Sequence, residues 1–107
     1  MPRIREYDFD ISLPRPGHFV RVRFVTTDSD VTSFTVQYEI VVAGRTLPVV
    51  RYDSAHEQPH RDRLDPSGAV VEKSWLDLPN NEALGFAQAD IKANWERYFE
   101  EFTGGRP

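Results

Sequence analysis

The sequence contains no cysteine. Disulfide staples and thiolate metal sites are thereby excluded, so any stability must come from packing and hydrogen bonding. It has no apolar run near the roughly 18 residues that a membrane-spanning helix needs. The opening Met1-Pro2-Arg3-Ile4-Arg5-Glu6 lacks the apolar centre of a secretory signal. No membrane association and a cytoplasmic location are the resulting expectations. Internal repeats and low-complexity tracts are lacking as well. Nor is there an excess of basic charge. With 13 Lys and Arg against 17 Asp and Glu the net charge is −4 and the pI about 5.3, which opposes generic electrostatic attraction to nucleic acid but leaves a local basic site open.

What is present suits one folded domain spanning residues 1–107. The chain is 39% hydrophobic and 12% aromatic, too apolar for a disordered tail and too short for two cores. Tyr7, Phe9, Ile11 and Leu13 alternate with Asp8, Asp10 and Ser12, the period of a half-buried strand. Val20, Val22 and Phe24 alternate with Arg21 and Arg23 in a second strand, which ends at the polar run 26–30. Phe34, Val36, Tyr38, Ile40 and Val42 alternate with Thr35, Gln37 and Glu39 in a third. Ala43-Gly44-Arg45 predicts a tight hairpin into a fourth strand over 47–52, where Pro48 predicts an edge or a bulge. Residues 60–64 can resume the pattern, Asp65-Pro66-Ser67-Gly68 has the composition of a type I turn, and 69–76 make a last strand.

A helix is expected next. Leu84, Ala87, Ile91, Trp95, Tyr98 and Phe102 recur at three- and four-residue spacing. Asn80-Asn81-Glu82 offers a capping asparagine and an acidic first turn, and Gly104-Gly105 a terminator. The predicted fold is α+β: an antiparallel meander of five to six strands over about 6–76, with one long amphipathic helix over about 80–103 on one face. The stripe is expected to cover Val20, Val22, Phe24 and the apolar row of 34–42, with Trp75 and Trp95 in the core.

Chemistry concentrates in Tyr52-Asp53-Ser54-Ala55-His56-Glu57-Gln58-Pro59-His60-Arg61-Asp62. Histidine exchanges protons near neutral pH and arginine stabilises charge on a phosphate. His56 and His60 as base and acid, with Arg61 on the phosphate and Asp53 and Tyr52 in support, would suffice for metal-independent RNA cleavage. Both imidazoles would have to flank one phosphate. His56, His60 and Asp53 also have metal-ligand chemistry, but Pro59 works against the helix on which a His-x-x-x-His pair shares a face; no metal or cofactor is expected. A plain solvated loop is the competing reading. Arg21, Arg23, Arg51 and Arg63 would form a basic patch if they converge, or would pair with Asp8, Asp10 and Glu39 across the sheet. Glu96, Glu100 and Glu101 crowd the helix end, where they either solubilise the chain or meet a basic partner.

Val50-Arg51-Tyr52-Asp53-Ser54-Ala55-His56, Pro59-His60-Arg61-Asp62, Glu72-Lys73-Ser74-Trp75-Leu76 and Ala89-Asp90-Ile91-Lys92-Ala93-Asn94-Trp95 resemble a small uncharacterised prokaryotic family. Over about residues 50–102 the arrangement also looks distantly like TumE-like toxins. That resemblance implies a compact toxin-like protein with a His/Arg-containing strand pair, a C-terminal helix and a cognate antitoxin as partner, while the His/Arg cluster itself points to RNA or another phosphate-bearing ligand as the target. The alternative expectation is a non-enzymatic interaction module, binding a protein partner or a second copy through the sheet or the acidic helix end.

Overall fold

The computed structural model describes residues 1–54 and 58–104. Six strands lie side by side in chain order, each antiparallel to the last: β1 (Ile4–Ser12), β2 (His18–Thr27), β3 (Asp30–Val42), β4 (Arg45–Asp53), β5 (His60–Leu64) and β6 (Val70–Trp75). Helix α1 (Asn80–Phe102) follows and packs on one face, so the fold is the expected α+β meander. Among the described residues no helix is long and apolar enough to cross a membrane.

Tight reversals set the registers. Ala43 and Gly44, with φ of 50° and 77°, join β3 to β4, and two positive-φ residues match the right-handed twist of a hairpin. Asp28 and Ser29, with φ of 51° and 74°, do the same between β2 and β3 without a glycine. The strands therefore run through the polar stretch that the sequence pattern leaves outside them. Thr27 pairs with Asp30, because backbone pairing continues where side chains on both faces meet water and hydrophobic alternation has nothing to report. Pro48 lies where the β3–β4 register shifts, which is the expected bulge. The turn after β5 closes through the Gly68 amide donating to the Asp65 carbonyl at 2.9 Å.

The registers line residues into rows across the sheet. On the helix side, Phe9, Val22, Val36, Tyr52, Arg61 and Ser74 stand in one row. Such a row is apolar under the helix and turns polar at β5 and β6. On the other face Asp8, Arg23, Thr35, Asp53, His60 and Trp75 form another row. Helix α1 lies mainly along β3 and to a smaller extent on β4. It buries Leu84, Ala87, Ile91, Tyr98 and Phe102 against Val20, Val22, Val36 and Tyr38.

Two expectations are corrected here. Trp75 is 53% exposed, since its register with His60 places it on the face away from the helix; Trp95 is partly buried against the core. The asparagines do not cap the helix, whose N-cap is Pro79. Asn81 Oδ1 instead accepts the Val31 amide at 2.7 Å and Asn80 Nδ2 donates to the Val31 carbonyl at 3.2 Å, clipping the start of α1 to the start of β3.

At the other end of β3, His18 is 7% exposed, with Nδ1 2.6 Å from the Tyr38 hydroxyl and its ring edge-on to Trp95 and Phe99. Burial, with the nearby Arg15 charge second, holds its pKa below the ordinary histidine value. The unfolded chain then takes up a proton that the folded chain refuses, so this contribution is complete above the ordinary histidine pKa and is lost as pH falls below it. The melting temperature is expected to drop between about pH 7 and pH 5, and the His18→Gln variant to show a flatter curve over that interval. Asp8, Asp65 and Glu72, held low by Arg21, Ser67 and Arg63 respectively, titrate at lower pH.

Candidate functional site

Strand geometry divides the segment that carries the candidate chemistry. Asp53 pairs with His60, Tyr52 with Arg61, and Arg51 with Asp62. Because successive side chains in a strand point to opposite faces, Asp53, His60 and Asp62 share the open face while Tyr52 and Arg61 turn toward α1. His60 and Arg61 therefore do not reach one phosphate together. His56 lies outside the described residues.

On the open face His60 is 3% exposed. Its Nε2 is 3.2 Å from Asp53 Oδ1 and 3.5 Å from Asp62 Oδ2, and its Nδ1 is 3.3 Å from the Gln58 carbonyl oxygen. Both ring nitrogens thus have partners, which fixes the orientation of the imidazole. Trp75 stands 5.2 Å from it, ring centre to ring centre. Lys73 Nζ lies 2.9 Å from Asp62 Oδ1 and 5.6 Å from the centre of the Trp75 ring. Asp53 also lines a groove of about 640 Å³ that runs over the open face past Glu6, Asp8, Arg23, Thr35 and Ser54. Among the described residues no group of three His, Cys, Asp or Glu side chains is placed to hold a metal ion.

On the helix side a different cluster forms. The hydroxyls of Tyr52 and Tyr98 both donate to Asp90 Oδ2 at 2.5 Å, and Asn94 Nδ2 donates to Oδ1 at 2.9 Å. Arg61 Nη1 donates to the Tyr98 hydroxyl at 2.9 Å, and its Nη2 reaches Glu72 at 3.0 Å and Ser74 at 3.2 Å. Burial first, then the bond to Asp90, raises the pKa of both tyrosines. Tyr52, with 0% exposure, stays a protonated donor and is not a proton-transfer group at neutral pH.

The other arginines do not converge. Arg21 and Arg23 share Asp8, each at 3.2 Å. Arg51 Nε donates to Gln37 Oε1 at 2.7 Å, and Gln37 in turn donates to Glu39. Arg63 pairs with Glu72 at 2.8 Å and Glu101 at 3.5 Å on the helix side. The expected pairing across the sheet is realised at Asp8, and the basic patch is not formed by these side chains. Sequence reasoning missed Asp90 as the acceptor of Tyr52 and Tyr98, Tyr98, Glu72 and Ser74 as partners of Arg61, and Lys73 as the partner of Asp62. Pairing β6 against β5 would have found Ser74 and Lys73, since residues 60–64 and 70–75 share one hairpin.

Asp90 is the acceptor on which two buried hydroxyls depend. Removing it strands both, at roughly 1–3 kcal/mol for an unsatisfied buried group. Asp90→Ala is expected to destabilise the fold by about 3 kcal/mol, and Tyr52→Phe by about 1 kcal/mol, as read from urea unfolding midpoints. Equal stability of Asp90→Ala and the parent chain would refute this account of the cluster.

No curated protein matches the chain, and no solved structure matches it. The family model of a domain of unknown function, DUF7718, does match, over residues 4–106, and the chain belongs to that family.

Proposed function

We propose that this chain is a protein-interaction module that works through sheet surface its helix leaves uncovered. The observation that carries this reading is the reach of α1, which packs on β3 and β4 and leaves β1 exposed along almost its whole length. On the helix side of that strand Tyr7 and Phe9 are 39% and 42% exposed, and Tyr7 stacks on Phe24 at 4.4 Å between ring centres. Aromatic side chains in this position favour a partner that removes them from water.

A second reading, a toxin-like enzyme cleaving RNA with His60 as the proton-transfer group, has one support. Asp53 and His60 form a carboxylate–imidazole pair, and Asp53 borders the groove on the open face. Arg61 and Tyr52 lend that reading nothing, because they face the helix.

The two are separated by one set of measurements on the full chain. The interaction reading expects a complex of fixed stoichiometry between the chain and a protein partner isolated with it by pull-down, measured by light scattering, that persists in His60→Ala and is lost in Phe9→Asp, with RNA left intact with or without chelator. RNA cleavage that disappears in His60→Ala would overturn it in favour of the enzyme.

A further inference from the structure

We infer that β1 accepts, as a seventh strand, an extended segment of another protein in which basic residues alternate with apolar ones. This rests on the interaction reading and names the chemistry of the partner.

The direction of the free backbone groups comes from the β1–β2 register. The Leu13 amide donates to the His18 carbonyl and the Asp28 amide to the Arg3 carbonyl, each at 2.9 Å. Residues 3 and 13 thus belong to hydrogen-bonded pairs, and in an antiparallel ladder such pairs recur at every second residue. The odd-numbered residues of β1 bond to β2, while Ile4, Glu6, Asp8, Asp10 and Ser12 turn their N–H and C=O groups outward. An open edge of this kind is a template for a further strand.

The residues that present those backbone groups are acidic at three successive positions, 6, 8 and 10. Their side chains lie on the open face, in register with Val25, Arg23 and Arg21. Only Asp8 takes part in an ion pair there; among the described residues Glu6 and Asp10 hold none within 4.0 Å. A strand bonded to the edge would set its own open-face side chains directly opposite these acids, where opposite charge stabilises and like charge destabilises. Its intervening side chains would fall beside Tyr7 and Phe9, on the apolar shelf that α1 does not reach. Cationic on one face and apolar on the other is the pattern that satisfies both sides.

The same geometry argues against a second copy. Antiparallel self-pairing of β1 through its outward groups, centred anywhere from residue 6 to residue 10, puts an acid opposite an acid: Glu6 on Glu6, Glu6 on Asp8, Asp8 on Asp8, and so on. Head-to-tail pairing with β6 of another copy offers one cation, Lys73, and Asp62 already holds it at 2.9 Å.

The test uses purified full-length protein and two fluorescent seven-residue peptides, one alternating lysine with valine and one alternating glutamate with valine. Anisotropy is expected to show saturable 1:1 binding of the lysine peptide alone, weakened by added salt and by about tenfold in the Glu6→Gln/Asp10→Asn double variant. Glu6→Pro removes an outward amide without touching a bond to β2, and is expected to weaken binding beyond Glu6→Gln. Equal binding of the glutamate peptide, or indifference to the double variant, would overturn the charge rule while leaving β1 as an interaction edge. A concentration-dependent dimer broken by Glu6→Pro would replace the foreign segment with a second copy. Failure of both peptides to bind, together with unchanged hydrogen exchange along β1, would sink this inference; the interaction reading itself falls only on the light-scattering and RNA result.

Discussion

The carboxylate of Asp90 ties the helix to the sheet. It receives a hydroxyl from β4 through Tyr52 and one from its own helix through Tyr98, eight residues on. An apolar stripe alone leaves a helix free to roll by a fraction of a turn, since hydrophobic contact has no direction. The bonds that cross from sheet to helix, Tyr52 to Asp90 and Arg61 to Tyr98, do have direction, and they hold the rotation of α1 over the sheet. Bringing an acid into this position is tolerable because its oxygens have partners and Arg61 stands beside the tyrosines. The consequence reaches the function: Arg61 is committed to holding the helix face together.

Much of this fold is legible in the sequence, for a definite reason. Where one side of a strand is buried and the other wet, alternation marks it, as at 34–40. Where the helix has one buried stripe, Leu84, Ala87, Ile91, Tyr98 and Phe102 announce it. Alternation fails where both faces are wet, which is why the polar stretch between Val25 and Phe34 reads as a loop although it forms strand ends around a two-residue turn. Asn80 and Asn81 mislead for another reason. Their side chains have a long-range customer in the Val31 backbone, and no local rule can see a partner some fifty positions away.

The candidate site shows the same limit from the other side. Tyr52, Asp53, His60 and Arg61 are close along the chain, and clustering along a chain suggests a cluster in space. In a strand pair the opposite holds for immediate neighbours, because a single step along the backbone changes the face. Once 60–64 is taken as a strand facing 50–53, the separation of His60 from Arg61 follows without any structure. What the sequence could not supply is the identity of the groups on α1, Asp90 and Tyr98, on which the character of the helix-side half depends.

Both faces of the sheet are largely satisfied from within. The open face pairs its charges among neighbouring strands, Asp8 with two arginines and Asp62 with Lys73, while the helix face is apolar over β2 to β4 and ion-paired over β5 and β6. Unmet demand is left at the rim, where an edge strand cannot bond on both sides. A long exposed edge tends to pair with whatever strand it meets, copies of its own chain included. Three acids on the outward-bonding residues oppose that outcome, since antiparallel self-pairing centred from residue 6 to residue 10 sets like charges against each other. Repulsion of this kind is not neutral toward other sequences: the charge that separates copies of the chain attracts a strand of opposite sign. An edge protected by one sign of charge is therefore also a selective edge.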